Sequence, residues 1–289
     1  YILTKNFVIL QINKSMMNND IFHYIFYPSN EISYLIEQFV FIKTSKVSDN
    51  FIEKHIPDGS CSLIFNFNEN IFFFSNNFEY HLPKVFLTIP RLKYVATKTP
   101  PNSSVMILVC KASVFSKIFK INFSNYKDVS FIDLHQTIDL KLFEELKNTP
   151  TNEEKIKIFS HFLKNKTDNK IYKQDQIDFC CEKISEVHGD LEAQQLSDLL
   201  KMNGRSLRRN FRKRIGISIK TFCRIKRFNF LWHQIKDDQS IDFQELNYKG
   251  NFYDQSHFIH DFKEITGESP SFFFKRDLKN LKIFSGYEK

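Results

Sequence analysis

The sequence predicts an α+β protein with a β-rich N-terminal domain, a short helical connector and an all-α C-terminal domain. Short aromatic and β-branched runs separated by turn residues fill residues 21–113. Apolar residues at helical spacing dominate from residue 139 onward. With 289 residues, the chain is long enough to bury a core in each of two domains. We expect boundaries at residues 1–135, 136–172 and 173–289.

Five runs in the N-terminal part have the composition of strands. They are rich in Phe, Ile, Val and Leu, and Pro, Asn, Asp and Gly lie between them, which favours turns. The runs are residues 39–42, 62–67, 71–74, 84–87 and 105–109. Regular short strands of this kind predict a small barrel or a half-jelly-roll-like sandwich. A helix is expected over residues 31–38.

Two helices are expected to form the connector. Residues 139–147 and 151–164 place apolar side chains at helical spacing, and Pro150 separates the two segments. Thr151 followed by Glu154 forms a capping box. The polar stretch 165–173 is the best linker candidate.

The positive charge of the chain is concentrated in one segment. Residues 201–230 contain eleven Lys and Arg and no acid, so the remainder of the chain, whose total net charge is +8, carries −3. A solvated basic face is one interpretation of this segment. Phosphate is the partner that such a segment favours.

Cysteine usage and hydropathy limit the location of the protein. The five cysteines are scattered without C-x-x-C spacing, which predicts reduced thiols in a cytoplasmic protein. No run of eighteen apolar residues is present, so no membrane span is expected. We expect no signal peptide. Because the chain begins with Tyr1, Met16 or Met17 is a candidate start.

The segment at about 190–215 has the pattern of a helix-turn-helix unit. Asn203 is a good N-cap, and an apolar helix rich in Leu precedes it. Leu207, Phe211 and Ile215 lie on one side of the next helix. Arg205, Arg208, Arg209 and Arg212 form a stripe on the other side. A helix, a short turn and a basic helix predict major-groove binding, in which Arg can bond to guanine or phosphate.

A second unit is predicted at about 241–267. Ile241, Phe243 and Leu246 indicate a short helix, and residues 249–251 indicate a turn. The next helix is expected to begin after Asp254 and to end at Gly267. Its buried side has Phe258, Phe262 and Ile265, and its opposite side has Ser256, Ile259, His260 and Lys263. One long helix over residues 218–236 should join the units through an apolar stripe of Phe222, Ile225, Phe228, Leu231, Trp232 and Ile235.

Both units resemble the AraC/XylS family of transcription regulators. Residues 205–211 followed by 215–218 match the family pattern R-x-L-x-R-x-F…G-x-S. Residues 253–258, 261–263 and 266–270 look like its D-x-S-x-F…F-K…G-x-S-P signature. Ile219, Asn203 and His260 depart from the residues that are usual in the family, Pro, Ser and Arg.

The resemblance implies a sequence-specific DNA-binding regulator rather than an enzyme, with neither cofactor nor metal. The matching positions imply base contacts for Arg205, Arg208 and Arg209. Side-chain chemistry extends the predicted base contacts to Gln255, Ser256, Ile259 and His260. The expected phosphate contacts are Arg212, Lys213, Lys220 and Lys263.

The N-terminal part is similar, more weakly, to the β-rich sensor domains of some family members. The similarity lies in residues 55–59 and the strand that follows. In the family such domains bind small effectors or mediate dimerisation. The expected partners are therefore double-stranded DNA, a small effector and a second copy of the chain. RNA polymerase is a further candidate, and no membrane is involved.

Three alternatives remain at this point. A cupin-like metal enzyme fused to a DNA-binding domain needs clustered ligands, but His23, His55, His81 and His135 are far apart in sequence. A fused alkyl-transfer repair domain needs an activated Cys, and the N-terminal cysteines lie in apolar runs. A β-rich domain that only dimerises would have a fully packed interior, whereas a sensor would have a pocket.

Overall fold

In the described part of the chain, the strands precede the helices, except that one short helix and a 3₁₀ turn come before the last strand. The computed structural model describes residues 3–4, 7–11, 21–45, 51–68, 71–75, 78–126, 131–167, 172–234, 250 and 254–273. The strands are β1 (Leu3–Thr4), β2 (Phe7–Gln11), β3 (Ile21–Phe26), β4 (Ile36–Thr44), β5 (Phe51–His55), β6 (Cys61–Asn66), β7 (Phe72–Ser75), β8 (Phe78–His81), β9 (Val85–Thr88), β10 (Val95–Thr99), β11 (Ser104–Cys110) and β12 (Phe131–Asp133). The helices are α1 (Val114–Ile118), α2 (Leu140–Asn148), α3 (Asn152–Lys166), α4 (Gln176–Glu186), α5 (Ala193–Leu200), α6 (Gly204–Ile215), α7 (Ile219–Gln234), α8 (Gln255–Thr266) and α9 (Pro270–Phe273), with a 3₁₀ turn at Phe123–Tyr126.

The strands form two antiparallel sheets. The larger sheet has the order β1-β2-β3-β4-β11-β6-β9-β12, and the smaller has the order β5-β10-β7-β8. Each of the five predicted runs overlaps a strand, namely β4, β6, β7, β9 and β11. The predicted β-rich N-terminal region is therefore confirmed. Over the described residues the larger sheet does not close into a barrel, because β1 and β12 do not pair with each other.

Alternation along the central strands gives the larger sheet two buried faces. Leu63, Phe65, Met106 and Leu108 lie on one face, in a core that α2 and α3 complete. The ring of Phe65, for example, meets that of Phe159 edge-on at 5.6 Å between centroids. The two helices that the sequence assigned to a connector thus pack directly on this sheet.

The opposite face of the larger sheet is turned towards the smaller sheet. Ile64 and Ile107, which alternate with the core residues, contact an apolar cluster that includes Leu82, Phe86 and Val95. This cluster leaves a cavity between the sheets.

Residues 31–38 do not form the predicted helix. The chain makes one helical turn, in which the amide of Ile36 donates to the carbonyl of Ile32 at 3.0 Å, and it then enters β4. Ile32, Leu35, Ile36 and Phe39 are all buried. A turn followed by a strand can bury apolar residues at the same sequence spacing as one face of a helix. The apolar pattern therefore could not distinguish a helix from a turn and a strand.

The C-terminal helices enclose two apolar clusters. Helices α4, α5 and α6 share the first cluster with the beginning of α7. Helices α8 and α9 share the second with Phe228 and Leu231 of α7. Helix α7 is therefore the predicted joining helix, and its residues Phe222, Ile225, Phe228 and Leu231 are buried as expected. The side chain of Trp232 and the whole of Ile235 lie outside the described residues.

All five cysteines are free thiols and are buried. Burial raises the pKa of the thiols, to about 11 at Cys180 and at Cys223. Among the described helices, none combines the length and the apolar composition that crossing a bilayer requires.

Candidate nucleic-acid interface and cavity

Helix α6 has the buried side and the N-cap that the sequence predicted. The side-chain oxygen of Asn203 accepts hydrogen bonds from the amides of Arg205 at 3.0 Å and Ser206 at 3.3 Å. Leu207, Phe211 and Ile215 are buried against α4, α5 and α7. The helix ends at Gly216, whose φ of 88° is a conformation that favours glycine. With its apolar side fixed in this way, the opposite side of the helix must face solvent.

The predicted contact residues of this first unit are all exposed. They are Arg205, Arg208, Arg209, Arg212 and Lys213 on α6 and Lys220 at the start of α7. Helix α5 packs behind α6, and Lys201, in the left-handed conformation at a φ of 50°, ends α5 just before the turn. A supporting helix, a short turn and an exposed second helix are the geometry that enters a major groove.

Four of the eleven basic residues in the segment 201–230 bond within the protein instead. They are Arg214, Arg224, Lys226 and Arg227. Arg214, for example, donates to the carboxylate of Asp175 at 2.9 Å. The number of basic residues alone suggested that the whole segment 201–230 binds phosphate. Helical periodicity could have separated Arg214 from the stripe, since it lies nearly opposite Arg205 on α6.

Helix α8 is the second exposed helix of the pair. Asp254 caps it by accepting a hydrogen bond from the amide of His257 at 2.7 Å. Phe258, Phe262 and Ile265 are buried as predicted. The predicted contact residues Gln255, Ser256, Ile259, His260 and Lys263 are exposed. The predicted first helix of this unit, around residues 241–246, lies outside the described residues.

An ion-pair network that sequence reasoning missed joins α7 to α8. Arg224 donates to both carboxylate oxygens of Asp261, at 2.7 and 3.1 Å, and to Glu264 at 2.5 Å. Burial alone would lower the pKa of Arg224, but the hydrogen bonds that it donates to Asp261 and Glu264 raise it. His260 lies beside the same carboxylates, within a spacing that a metal ion could use. Because the guanidinium already occupies both carboxylates, the cluster is an ion-pair network.

A cavity of about 230 Å³ lies between the two sheets. Its walls are mainly apolar, with Ile25, Val40, Ile64, Phe86 and Val109 among them. Among the polar side chains of its lining, Arg91, His23, His55 and Thr97 lie near one another, and we call this group the polar end of the cavity. The ring nitrogen Nε2 of His55 lies 2.7 Å from the hydroxyl of Thr97. His23 and His55, remote in sequence, are thus brought to one cavity.

Arg91 is the cation among these four polar side chains at neutral pH. Burial lowers the pKa of His23 to about 4. Burial, with the neighbouring charges of Arg91 and His23, lowers the pKa of His55 to about 4. Burial also lowers the pKa of Arg91, to about 10, which still leaves it protonated. Both imidazoles are therefore neutral, and Arg91 carries the charge.

No signal in the sequence pointed to Arg91, because its role depends on strand pairing between distant segments. Asp58 also lines the cavity, but its charge acts on the pKa of Glu37 and of Cys61 rather than on that of His55. A permanent cation beside two imidazoles disfavours a bound metal ion. The geometry therefore gives no support to the metal-enzyme alternative.

Comparison with known proteins identifies one domain of the chain. A family model described as a helix-turn-helix domain matches residues 196–276. No curated protein sequence matches the chain significantly. Among solved structures, ToxT from Vibrio cholerae is 15% identical, with a TM-score of 0.44 over 82% of this chain and 97% of that chain. Wild-type ToxT bound to an unsaturated fatty acid is 15% identical, with a TM-score of 0.41 over 90% and 96%.

The AraC-like transcriptional activator CuxR is 10% identical, with a TM-score of 0.30 over 73% of this chain and 81% of that chain. The family match covers both exposed helices and the two sequence motifs that resemble AraC/XylS regulators. The chain therefore carries a helix-turn-helix domain over residues 196–276, and the two motifs within it resemble those of AraC/XylS regulators.

Proposed function

We propose that this regulator recognises a specific DNA sequence with α6 and α8 and responds to a small effector held between its sheets. The exposed arginine stripe on the capped helix α6 carries the first half of the proposal. Arg205, Arg208 and Arg209 lie towards the start of α6, where recognition helices meet base edges. Arg212 and Lys213 follow one turn later and are suited to phosphate, as is Lys220.

In α8 the side chains suit a different kind of contact. Gln255 and Ser256 can hydrogen-bond to base edges, and Ile259 can touch a thymine methyl. His260 adds a further polar group, and Lys263 is suited to phosphate. The described part of α7 has 16 residues, a rod of about 24 Å that separates the two units. We expect one monomer to contact successive major-groove segments and to protect two blocks about ten base pairs apart.

Selection of binding sites from random duplexes with the full chain tests this half of the proposal. We expect one sequence to emerge with two protected blocks in footprinting. Arg208→Gln should abolish the specific complex or relax one base position, whereas Lys157→Gln, which removes the same charge from the remote helix α3, should change nothing. Binding of all duplexes with equal affinity would reject sequence-specific recognition.

The polar end of the cavity supports a small amphipathic anion as the effector. Its acidic head would meet Arg91 and the two neutral imidazoles, and its tail would occupy the apolar remainder between the sheets. A buried guanidinium favours a carboxylate because the two groups form charge-assisted hydrogen bonds. The cavity also favours a sensor over the alternative in which the β-rich domain only dimerises.

Calorimetry with decanoate and with 1-decanol, which differ in the head group, tests this assignment. Decanoate should bind the full chain, and Arg91→Met should weaken that binding by roughly tenfold or more, the cost of one charge-assisted hydrogen bond. Lys157→Met serves as the matched control. Equal affinity for the acid and the alcohol, or for the wild type and Arg91→Met, would contradict an anion site at Arg91.

We include a homodimer, RNA polymerase contact and a cytoplasmic location in the proposal, as expected for the family. Sedimentation of the full chain with and without a duplex would test the first of these. A monomer in both states would remove dimerisation from the proposal.

A further inference from the structure

The loop Ile89–Tyr94, between β9 and β10, has one face in the cavity and the other face against the second helix-turn-helix unit. Ile89, Pro90 and Arg91 line the cavity. Leu92, the next residue, packs against the apolar cluster of α7, α8 and α9. Because Arg91 and Leu92 are consecutive, the polar end of the cavity and the core of the second unit are joined directly through the backbone of this loop.

Tyr94 holds the C-terminal end of α8. Its amide donates to the carbonyl of Ile265 at 2.9 Å, in the last turn of that helix. The backbone of Gly267, which ends α8, lies so close to the ring of Tyr94 that a Cβ at this position would collide with it. The last carbonyls of a helix lack partners within the helix, so a donor from outside fixes where they lie.

Lys54 of β5 reinforces this attachment. Its ammonium donates to the carbonyl of Thr266 at 3.3 Å and pairs with the carboxylate of Glu268. The same ammonium lies 4.3 Å from the centre of the Tyr94 ring, a cation–π contact. Lys54 and Tyr94 thus form one clamp, built entirely from the β-rich domain, around the end of α8.

We propose that the clamp of Lys54 and Tyr94 positions the second recognition helix, and that the loop Ile89–Tyr94 makes this position depend on the state of Arg91 in the cavity. The proposal rests on the proposed function in treating the cavity as sensory and α8 as a DNA-reading helix. Well-packed contacts change between discrete arrangements rather than deforming continuously, so a change at Arg91 is passed to Leu92 and Tyr94. Such coupling is reciprocal between the two sites.

Hydrogen exchange of the full chain, without DNA or effector, tests the positioning role directly. Lys54→Met should speed exchange across residues 254–273 by about fivefold, the factor expected when one hydrogen bond is lost. Tyr94→Ala keeps the backbone hydrogen bond to Ile265 but removes the ring that packs on Gly267 and Lys54, and it should also speed exchange there. Lys54→Arg should restore wild-type exchange. Residues 204–215 of α6 should change less, and Lys157→Met should change neither region. Unaltered exchange in residues 254–273 of both clamp variants would overturn the clamp.

The link to the cavity is tested by Arg91→Met in the same experiment. We expect faster exchange in residues 254–273 while β6, residues 61–66, keeps its protection, which shows that the sheet remains folded. If β6 also loses protection in Arg91→Met, the experiment is repeated with Arg91→Lys, which keeps the charge. This variant should also speed exchange selectively in residues 254–273, but by a smaller factor. Exchange that is unchanged at residues 254–273 in either folded variant would overturn the coupling.

A DNA measurement separates positioning from mere stability. Wild-type protein should bind its selected site better than the same site with two base pairs inserted between the blocks. Lys54→Met should lose most of that preference. Lys54→Arg should keep it. Retention of the full preference by Lys54→Met would contradict positioning. Absence of any specific complex with the wild type would reject the proposed function instead. The hydrogen-exchange results would still show whether Lys54 and Tyr94 position α8.

Discussion

The two helix-turn-helix units have opposite charge and are supported in different ways. The stretch 201–230, which contains α6, has eleven basic residues and no acid, whereas residues 231–270 have eight acids and three lysines. The first unit packs on its own cluster from α4 to α7, and the second shares its cluster with Ile56 and Leu92 of the β-rich domain. Positive charge is therefore concentrated in the first unit, whereas the packing of the second unit depends on the β-rich domain.

The largest effect should come from Arg224, which attaches α8 to α7. Arg224→Met removes the guanidinium partner of the buried carboxylate of Asp261 and should lower the free energy of unfolding by roughly 3 kcal/mol. Replacing both partners, as Arg224→Met with Asp261→Leu, should recover much of that loss. Urea unfolding, combined with exchange of residues 254–273, measures both. Loss of protection that is equal in α6 and α8 would break the distinction between the units.

Loss of base reading in the first unit should come next. Arg208→Gln should cost roughly 1–3 kcal/mol at one base pair and little at the others. Titration of duplexes that differ at single positions gives this profile. A selected site without guanine in the block bound by α6 would contradict Arg-mediated reading and would weaken the contrast with α8.

The salt dependence of binding sharpens the comparison further. Arg212→Gln should reduce the slope of log affinity against log salt by about 1, because one phosphate contact is lost. His260→Gln should leave the slope unchanged, since the second unit contributes little charge. Anisotropy titrations over a range of salt concentrations measure the slopes. Equal changes in slope for the two variants would show that both units contribute equally to the electrostatic part of binding.

The smallest effect concerns the pH dependence of the first unit. Burial by itself would raise the pKa of Asp175, but Arg214 and the hydrogen bonds that Asp175 accepts lower it from 3.8 to about 2. A carboxyl with a lower pKa in the folded chain stabilises the fold above its ordinary pKa. That contribution should be lost as the pH falls from about 4 to about 2.

Asp175→Asn should therefore flatten the acid dependence of stability while keeping the N-cap of α4, since Asn caps as well as Asp. Asp139→Asn, at the N-cap of α2, is the matched control, because Asp139 accepts a capping hydrogen bond from the amide of Lys141. Thermal unfolding between pH 2 and pH 7 compares the variants. Identical profiles for Asp175→Asn and the wild type would show that the ion pair of Asp175 and Arg214 does not contribute to the acid dependence of stability.

Local patterns predicted the first unit well because its signals lie within a few residues of one another. The cap at Asn203, the stripe of arginines and the buried Leu207, Phe211 and Ile215 all follow from one helical period. The cavity could not be predicted in this way, since Arg91, His23 and His55 meet only after β3, β5 and β9 have taken their places in two sheets. The clamp of Lys54 on α8 joins residues more than 200 positions apart.

Each half of the molecule contains buried cysteines whose alkylation can report when that half opens. Cys61 and Cys110 lie opposite each other on β6 and β11, whereas Cys180 and Cys181 lie on α4 and Cys223 on α7. Burial keeps these groups protonated and out of reach, so an alkylating reagent can modify them only when the surrounding structure opens. The order in which the five cysteines are alkylated in one sample would therefore report which half of the protein opens first, without any engineered probe.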